Sequence, residues 1–281
     1  MSINLPQLIE LFMAALAISF ITSQGGISGA YLLLPIQSCI LNTVNPVISG
    51  TNLLYNLISI PLSIHEYFRE RRIAASFTSI LVIGASAGAV VGTWLRGHYL
   101  TGGYTFSYFM GAVLLALAAE LILSSTLLIR RVRTYETVVR CSRDKTSLVI
   151  TTNKSNTYRV NTILLVIITV LVGMASGAYG IGGASILSPI LIGPMGLPAY
   201  IVSGPTLMVT LVVSLIGVLS YAYLGYPPDV INGLSMGLGG MIGIYLGTIT
   251  QRRLPERHIK LTVAAATAAM GIYTILRVSR I

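Results

Sequence analysis

Eight stretches of the chain, about 5–23, 45–67, 73–96, 104–129, 161–178, 198–224, 230–250 and 259–278, have the length and apolar character of membrane spans, since a helix needs about 20 mainly apolar residues to cross the hydrocarbon. Nothing else constrains the fold as strongly. Without water in the bilayer core, every backbone N–H and C=O must be satisfied inside the chain, and only helices and closed barrels achieve that. Runs of this length read as helices. Composition agrees: 54% of the 281 residues are hydrophobic and 9% are charged, against about 25% charged in soluble domains. A soluble enzyme, a nucleic-acid module and a disordered chain are therefore excluded. No Lys or Arg precedes the first apolar run and no small-residue cleavage site stands out, so that run is expected to be a permanent span and not a signal peptide.

Between the spans, two shorter apolar runs, 27–41 and 182–193, follow directly on glycine clusters and end near Asn42 and Pro194. Each reads either as a short crossing helix or as a re-entrant half. The long polar segment 130–160 divides a first membrane unit, 1–129, from a second, 161–281. It carries Arg130, Arg131, Arg133, Arg140, Arg143, Lys145, Lys154 and Arg159 against Glu136 and Asp144. The net charge of +10 is explained by retention of such segments in the cytoplasm, with no nucleic-acid partner required. Within the linker, SLVITT and TYRV flank NKSN, a pattern that predicts a small exposed β-hairpin. Cys39 and Cys141 fit neither a disulfide framework nor a metal-ligand spacing.

The two units repeat. Gly26 to Ile36 (GISGAYLLLPI) aligns with Gly180 to Ile190 (GIGGASILSPI), seven identities in eleven at an offset of 154, and the same offset places Ser49-Gly50-Thr51-Asn52-Leu53 on Ser203-Gly204-Pro205-Thr206-Leu207. One residue of slippage brings Gly84, Gly88, Gly92 and Thr93 onto Gly239, Gly243, Gly247 and Thr248. Equivalent loops carry opposite charge: Arg69, Arg71 and Arg72 correspond to a loop with Asp229 and no Lys or Arg, whereas the loop at Arg96 corresponds to Arg252, Arg253, Arg257 and Lys260. Five passes per unit, with the repeats inverted and both termini outside, put 15 of the 18 basic residues on one side. Four passes put only 13 there. The expected fold is thus an all-α integral membrane protein of two inverted repeats with glycine-broken helices.

Paired breaks at matching positions of two repeats point to a transporter's substrate site. Several N–H groups gathered at a helix start, with the dipole behind them, favour an anion; close helix packing is the competing reading. A second candidate is the polar stripe Ser49, Asn52, Asn56, Ser59 and Ser63, matched by Ser203, Thr206, Thr210, Gly217 and Ser220, at spacings of three and four that share a helix face. Thr51, Asn52, Asn56 and Thr206, near the breaks, read as ligand contacts. Ser59, Ser63 and Ser220 read as interhelical glue. The small-xxx-small runs Gly84/Gly88/Gly92 and Gly239/Gly243/Gly247 read as close packing surfaces, or equally as a homodimer face. Glu120, ten residues before Arg130 and so roughly 15 Å into the bilayer, is either a carrier of a coupling proton or a structural carboxylate. His65, His98 and His258 have no ligand spacing, and no nucleophile–base pair or phosphate loop is present, so neither enzyme activity nor a metal or cofactor is expected.

The duplicated glycine-to-proline block, GGISGAYLLLPI and GIGGASILSPI, each followed about a dozen residues later by Ser-Gly-(Thr/Pro)-(Asn/Thr)-Leu, resembles the TauE/SafE family of membrane permeases. The likeness covers the chain outside the linker. It departs from the family's GxGGGxxxxP pattern at Ser28, while Gly180, Gly182 and Gly183 match more closely. The resemblance implies a secondary carrier in the cell membrane that exports a small sulfur-containing anion such as sulfite, sulfoacetate or a related organosulfonate. By motif position it implies anion contacts at Gln24, Gly26, Gly29, Thr51 and Asn52 in the first repeat and at Gly180, Gly182, Gly183, Ser203 and Thr206 in the second. An anion channel and a non-transporting membrane scaffold are the alternatives.

Overall fold

A computed structural model of the chain describes residues 4–24, 28–70, 73–127, 138–144, 147–153, 156–250 and 256–278. The first repeat folds into α1 (Leu5–Gln24), α2 (Ala30–Ile40), α3 (Pro46–Ser59), α4 (Pro61–Arg69), α5 (Ala75–His98) and α6 (Gly103–Leu127). The second gives α7 (Thr162–Tyr179), α8 (Ala184–Ile192), α9 (Ala199–Tyr223), α10 (Val230–Thr250) and α11 (Glu256–Val278). Six of the described helices are long and apolar enough to cross a membrane, seven if α3 and α4 count as one span. The protein is therefore a multi-pass, all-α integral membrane protein. The run 45–67 is interrupted because Pro61 has no N–H to donate back along the helix, and α3 and α4 meet at a bend of 40°. At the start of α7, the Asn161 side chain caps the helix, accepting from the N–H groups of Ile163 at 2.9 Å and Leu164 at 3.2 Å.

The short segment α2 is a return path. Its start packs on α1, where a Cβ at Gly29 would lie 2.9 Å from Thr22 Oγ1 and 3.0 Å from Ile18. Its last carbonyl, at Ile40, accepts from Gln7 Nε2 at 3.3 Å. Between Gln7 and Thr22 a helix rises about 22 Å, so α2 carries the chain back along most of α1, and α3 starts at the end where α1 began.

Glycine ridges set which helices touch. Gly84, Gly88 and Gly92 on α5 face the α7 backbone at Val166, Val170 and Met174, and Gly239, Gly243 and Gly247 on α10 face α1 at Phe12, Leu16 and Phe20. Both pairs run parallel. By contrast Gly50 lies against Tyr221 and Gly217 against Leu53, so the repeat-equivalent helices α3 and α9 cross antiparallel. Exchanging the repeats turns the pair α1/α10 into α7/α5, and leaves α3/α9 and α6/α11 as pairs of themselves.

Between α6 and α7, the runs SLVITT and TYRV form β2 (Ser147–Thr152) and β3 (Thr157–Asn161), with Ser147 opposite Asn161. A third strand, β1 (Val138–Asp144), pairs antiparallel with β2. Its sequence VVRCSRD gives no sign of alternation. Leu148, Ile150 and Val160 are buried against Phe77 and Leu81 of α5 and Leu165 of α7, so the sheet closes the linker end of that helix pair. At the opposite end lie the starts of α1, α3 and α10 and the end of α11.

A Cβ at Gly88 would collide with the Val170 carbonyl and meet Met174 N at 2.8 Å. Gly88→Val is expected to lower stability by about 1–3 kcal/mol through overpacking, read as a drop in thermal midpoint in detergent, whereas Gly225→Ala, with no neighbour within 4 Å, serves to separate backbone strain from collision.

Candidate functional site

The chain leaves helical geometry at the end of α7 through Gly180, Gly182 and Gly183, whose φ values are +96°, +82° and +111°. Glycine adopts these without a Cβ penalty. The departure frees the carbonyls of Gly180 and Ile181 and the N–H of Ala184 from a helical ladder at a depth where water does not supply partners. Side chains of α3 and α9 take that role. Asn52 Nδ2 donates to the carbonyls of both Gly180 and Ala30 at 2.8 Å. Asn56 Nδ2 donates to Ile181 O at 3.3 Å, and Ala184 N–H donates to Thr210 Oγ1 at 2.9 Å. The break of the first repeat joins them: Ser185 Oγ donates to Ser28 O at 3.3 Å, and Ser28 Oγ to Asn56 Oδ1 at 3.4 Å. Asn52 and Asn56 thus each bond to the breaks of both repeats, while Thr210, at the position equivalent to Asn56, bonds to the break of its own.

Three polar atoms of this cluster, Asn52 Oδ1, Ser176 Oγ and Ser214 Oγ, are buried and make no hydrogen bond to the protein. They border the glycines. The Cβ position of Gly182 lies 3.0 Å from both Ser214 Oγ and Asn56 Nδ2, and that of Gly183 lies 3.5 Å from Ser176 Oγ. Hydroxyl donors beside the start of α8, whose dipole adds positive potential, can serve an oxyanion without any permanent charge in the ring.

Of the residues expected from the sequence, Asn52, Asn56, Gly180, Gly182 and Gly183 come together here. Thr206 is buried one turn along α9, donating to Val202 O at 3.0 Å and accepting from Ser188 Oγ at 2.9 Å. Ser203 is turned onto its own helix, donating to Ala199 O at 2.7 Å. Thr51 points away from the cluster: its Oγ1 accepts from Asp229 N at 2.9 Å and lines a cavity at the termini end. Gly29 serves the α1–α2 contact. Gly26 and the side chain of Gln24 lie outside the described residues. The sequence reading missed Ser28, Ser176, Ser185 and Ser214 as site residues and left Thr210 in the stripe. Ser176 opens the second glycine cluster, Thr210 sits 154 residues after Asn56, and Ser214 continues its stripe, so three of the five carried a signal.

Arg96, which the sequence places with the outside loop charges, is completely buried at the end of α5. Its Nε donates to Ser49 Oγ at 3.4 Å, and its terminal nitrogens donate to the carbonyls of Val44 and Leu100. The guanidinium carbon sits 3.4 Å from the Phe106 ring centroid, a cation–π contact. No carboxylate of the described residues pairs with it. Glu120 is half-buried on α6, within electrostatic reach of Tyr31, the residue after Ala30.

A family model described as "Sulfite exporter TauE/SafE" matches residues 11–274. Two curated relatives from Xylella fastidiosa, of strains Temecula1 and 9a5c, each described as "Probable membrane transporter protein", are 26% identical over 265 residues, covering 90% of this chain and 88% of theirs. No solved structure matches.

Asn52→Leu leaves the buried Gly180 carbonyl unpaired and removes the second bond to Ala30 O, and is expected to cost about 1–3 kcal/mol, visible as a fall in thermal midpoint. Ser203→Ala, which removes only a local bond, is expected to change it little.

Proposed function

Because the chain belongs to the TauE/SafE family of sulfite exporters, we propose that this membrane transporter is a secondary carrier that exports a small sulfur-containing anion, sulfite, sulfoacetate or a related organosulfonate, by alternating access. The observation that carries the reading is the ring of neutral polar groups where the two breaks meet, with two serine hydroxyls that the protein itself does not engage. Hydrogen bonds to a charged ligand are stronger than neutral ones, and a few of them, without a fixed cation in the ring, bind an anion while still permitting release. The antiparallel crossing of α3 and α9 supports repeats that are inverted in the membrane, and the Lys/Arg content of the linker favours its retention in the cytoplasm with both termini outside. Movement of one parallel helix pair against the other around the crossing would then expose the ring to each side in turn.

The hydroxyls allow a test that separates binding from packing. Ser176→Ala and Ser214→Ala remove groups with no protein partner, so the thermal midpoint is expected to stay within a few degrees. Each is expected to lower sulfite or sulfoacetate efflux from proteoliposomes by about tenfold to a hundredfold, the worth of one hydrogen bond to a charged group. Unchanged efflux in both variants would remove the site from this ring.

For Glu120 the reading includes transfer of a coupling proton. Glu120→Gln is expected to flatten the pH dependence of efflux while sulfite binding persists; a retained pH profile makes the carboxylate structural.

A further inference from the structure

At the termini end, α2, α6 and α11 enclose a cavity of about 260 Å³, separate from the buried ring. Arg277, from the last turn of α11, reaches into it. One edge of its guanidinium is held by Asn42 Oδ1 at 2.9 Å, with Cys39 Sγ at 3.5 Å. A guanidinium has five N–H donors in a fixed fork, so donors remain for a ligand. The lining is hydroxyl-rich, with Thr43, Tyr104 and Ser107, and among the described residues no carboxylate lines the cavity.

Two features shape this cavity. Asn42, with φ +47°, is the left-handed residue just past the end of α2, where Thr43 N–H donates back to Ser38 O at 3.2 Å and ends the helix; the turn places its amide on Arg277. Second, the lining residue Val44 is bonded from behind by Arg96, the buried cation without a carboxylate partner. Two guanidinium groups therefore flank one short loop, one inside the cavity and one behind its wall. Arg277 meets Asn42 at an exposed contact while Arg96 is fully buried, so the buried cation adds positive potential through the loop to the mouth of the cavity.

We propose that this cavity is a second binding site, for an oxyanion group, with Arg277 as the direct contact and Arg96 as a source of positive potential behind it. Its ligand class rests on the proposed transport reading, in which the same anion reaches or leaves the buried ring at this end. The oxyanion comes either from a free sulfonate or from the phosphate of a lipid headgroup. Because α2 and α6 belong to one repeat and α11 to the other, occupancy is sensitive to how the repeats sit against each other.

The test is calorimetric binding of ethanesulfonate, a monoanion, and sulfoacetate, a dianion, to delipidated full-length protein in uncharged detergent. Wild type, Arg277→Gln, Arg277→Lys and the ring variant Ser176→Ala/Ser214→Ala are compared. Wild type is expected to bind two anions, and Arg277→Gln to lose one site by about tenfold to a hundredfold. On a logarithmic scale the loss for the dianion is expected to be about twice that for the monoanion, because the Coulomb term scales with ligand charge. Arg277→Lys is expected to recover part of it. A single site that Arg277→Gln leaves intact and the ring variant abolishes overturns this proposal and preserves the transport site. A single site with the reverse pattern preserves the cavity and overturns the ring. Equal losses for monoanion and dianion overturn the electrostatic role. To separate the sources, native mass spectrometry of protein from phosphatidylglycerol nanodiscs reads retained lipid: retention in wild type but not in Arg277→Gln assigns the site to a lipid phosphate, and equal retention in both assigns it to the free anion.

Discussion

Two interruptions of helix at depth in a bilayer are tolerated here because α3 and α9 supply hydrogen bonds at the place where they occur. An unpaired backbone group in hydrocarbon costs several kcal/mol, and at least three such groups come together: the carbonyls of Gly180 and Ile181 and the N–H of Ala184. Asn52, Asn56 and Thr210 are thus first of all structural. They fix the two breaks to each other, and the crossing of α3 over α9 is the point from which the positions of the other helices follow. The ligand reading depends on what is left over after this demand is met, which is why the unengaged serine hydroxyls carry more weight than the asparagines that the sequence brings forward.

Around that point the glycine ridges set the larger bodies. Where Gly88 meets Val170 and Gly243 meets Leu16, backbone approaches backbone with no side chain between, which favours contact along the whole length of each parallel pair. Each pair takes one helix from each repeat. The units of packing are consequently not the units of the duplication, and a displacement of one pair against the other changes both breaks together.

Much of this was legible in the amino-acid order because it is periodic or repeated. The apolar runs gave the spans, the offset of 154 brought Asn56 and Thr210 into equivalence, and the glycine ridges declared close packing by their spacing of four. What could not be read depended on partners distant in sequence. Arg96 looks like a loop charge beside His98, and only the fold brings Val44, Ser49 and Phe106 around it. Thr51 and Asn52 are neighbours on one helix, so about 100° apart around its axis; one meets Asp229 and the other meets Gly180, and no local pattern decides which faces the ring. Strand β1 was invisible because its charged residues hide a pairing that β2 imposes.

The sheet β1–β2–β3 rests on α5 and α7, and among the described residues no sheet rests on the matching pair α1 and α10. Two halves that were interchangeable in every respect would give two end states related by symmetry and therefore of equal energy. An attachment carried by one helix pair alone removes that degeneracy. In the proposed alternating-access cycle the linker would thus favour one of the two end states, from the end farthest from both chain termini.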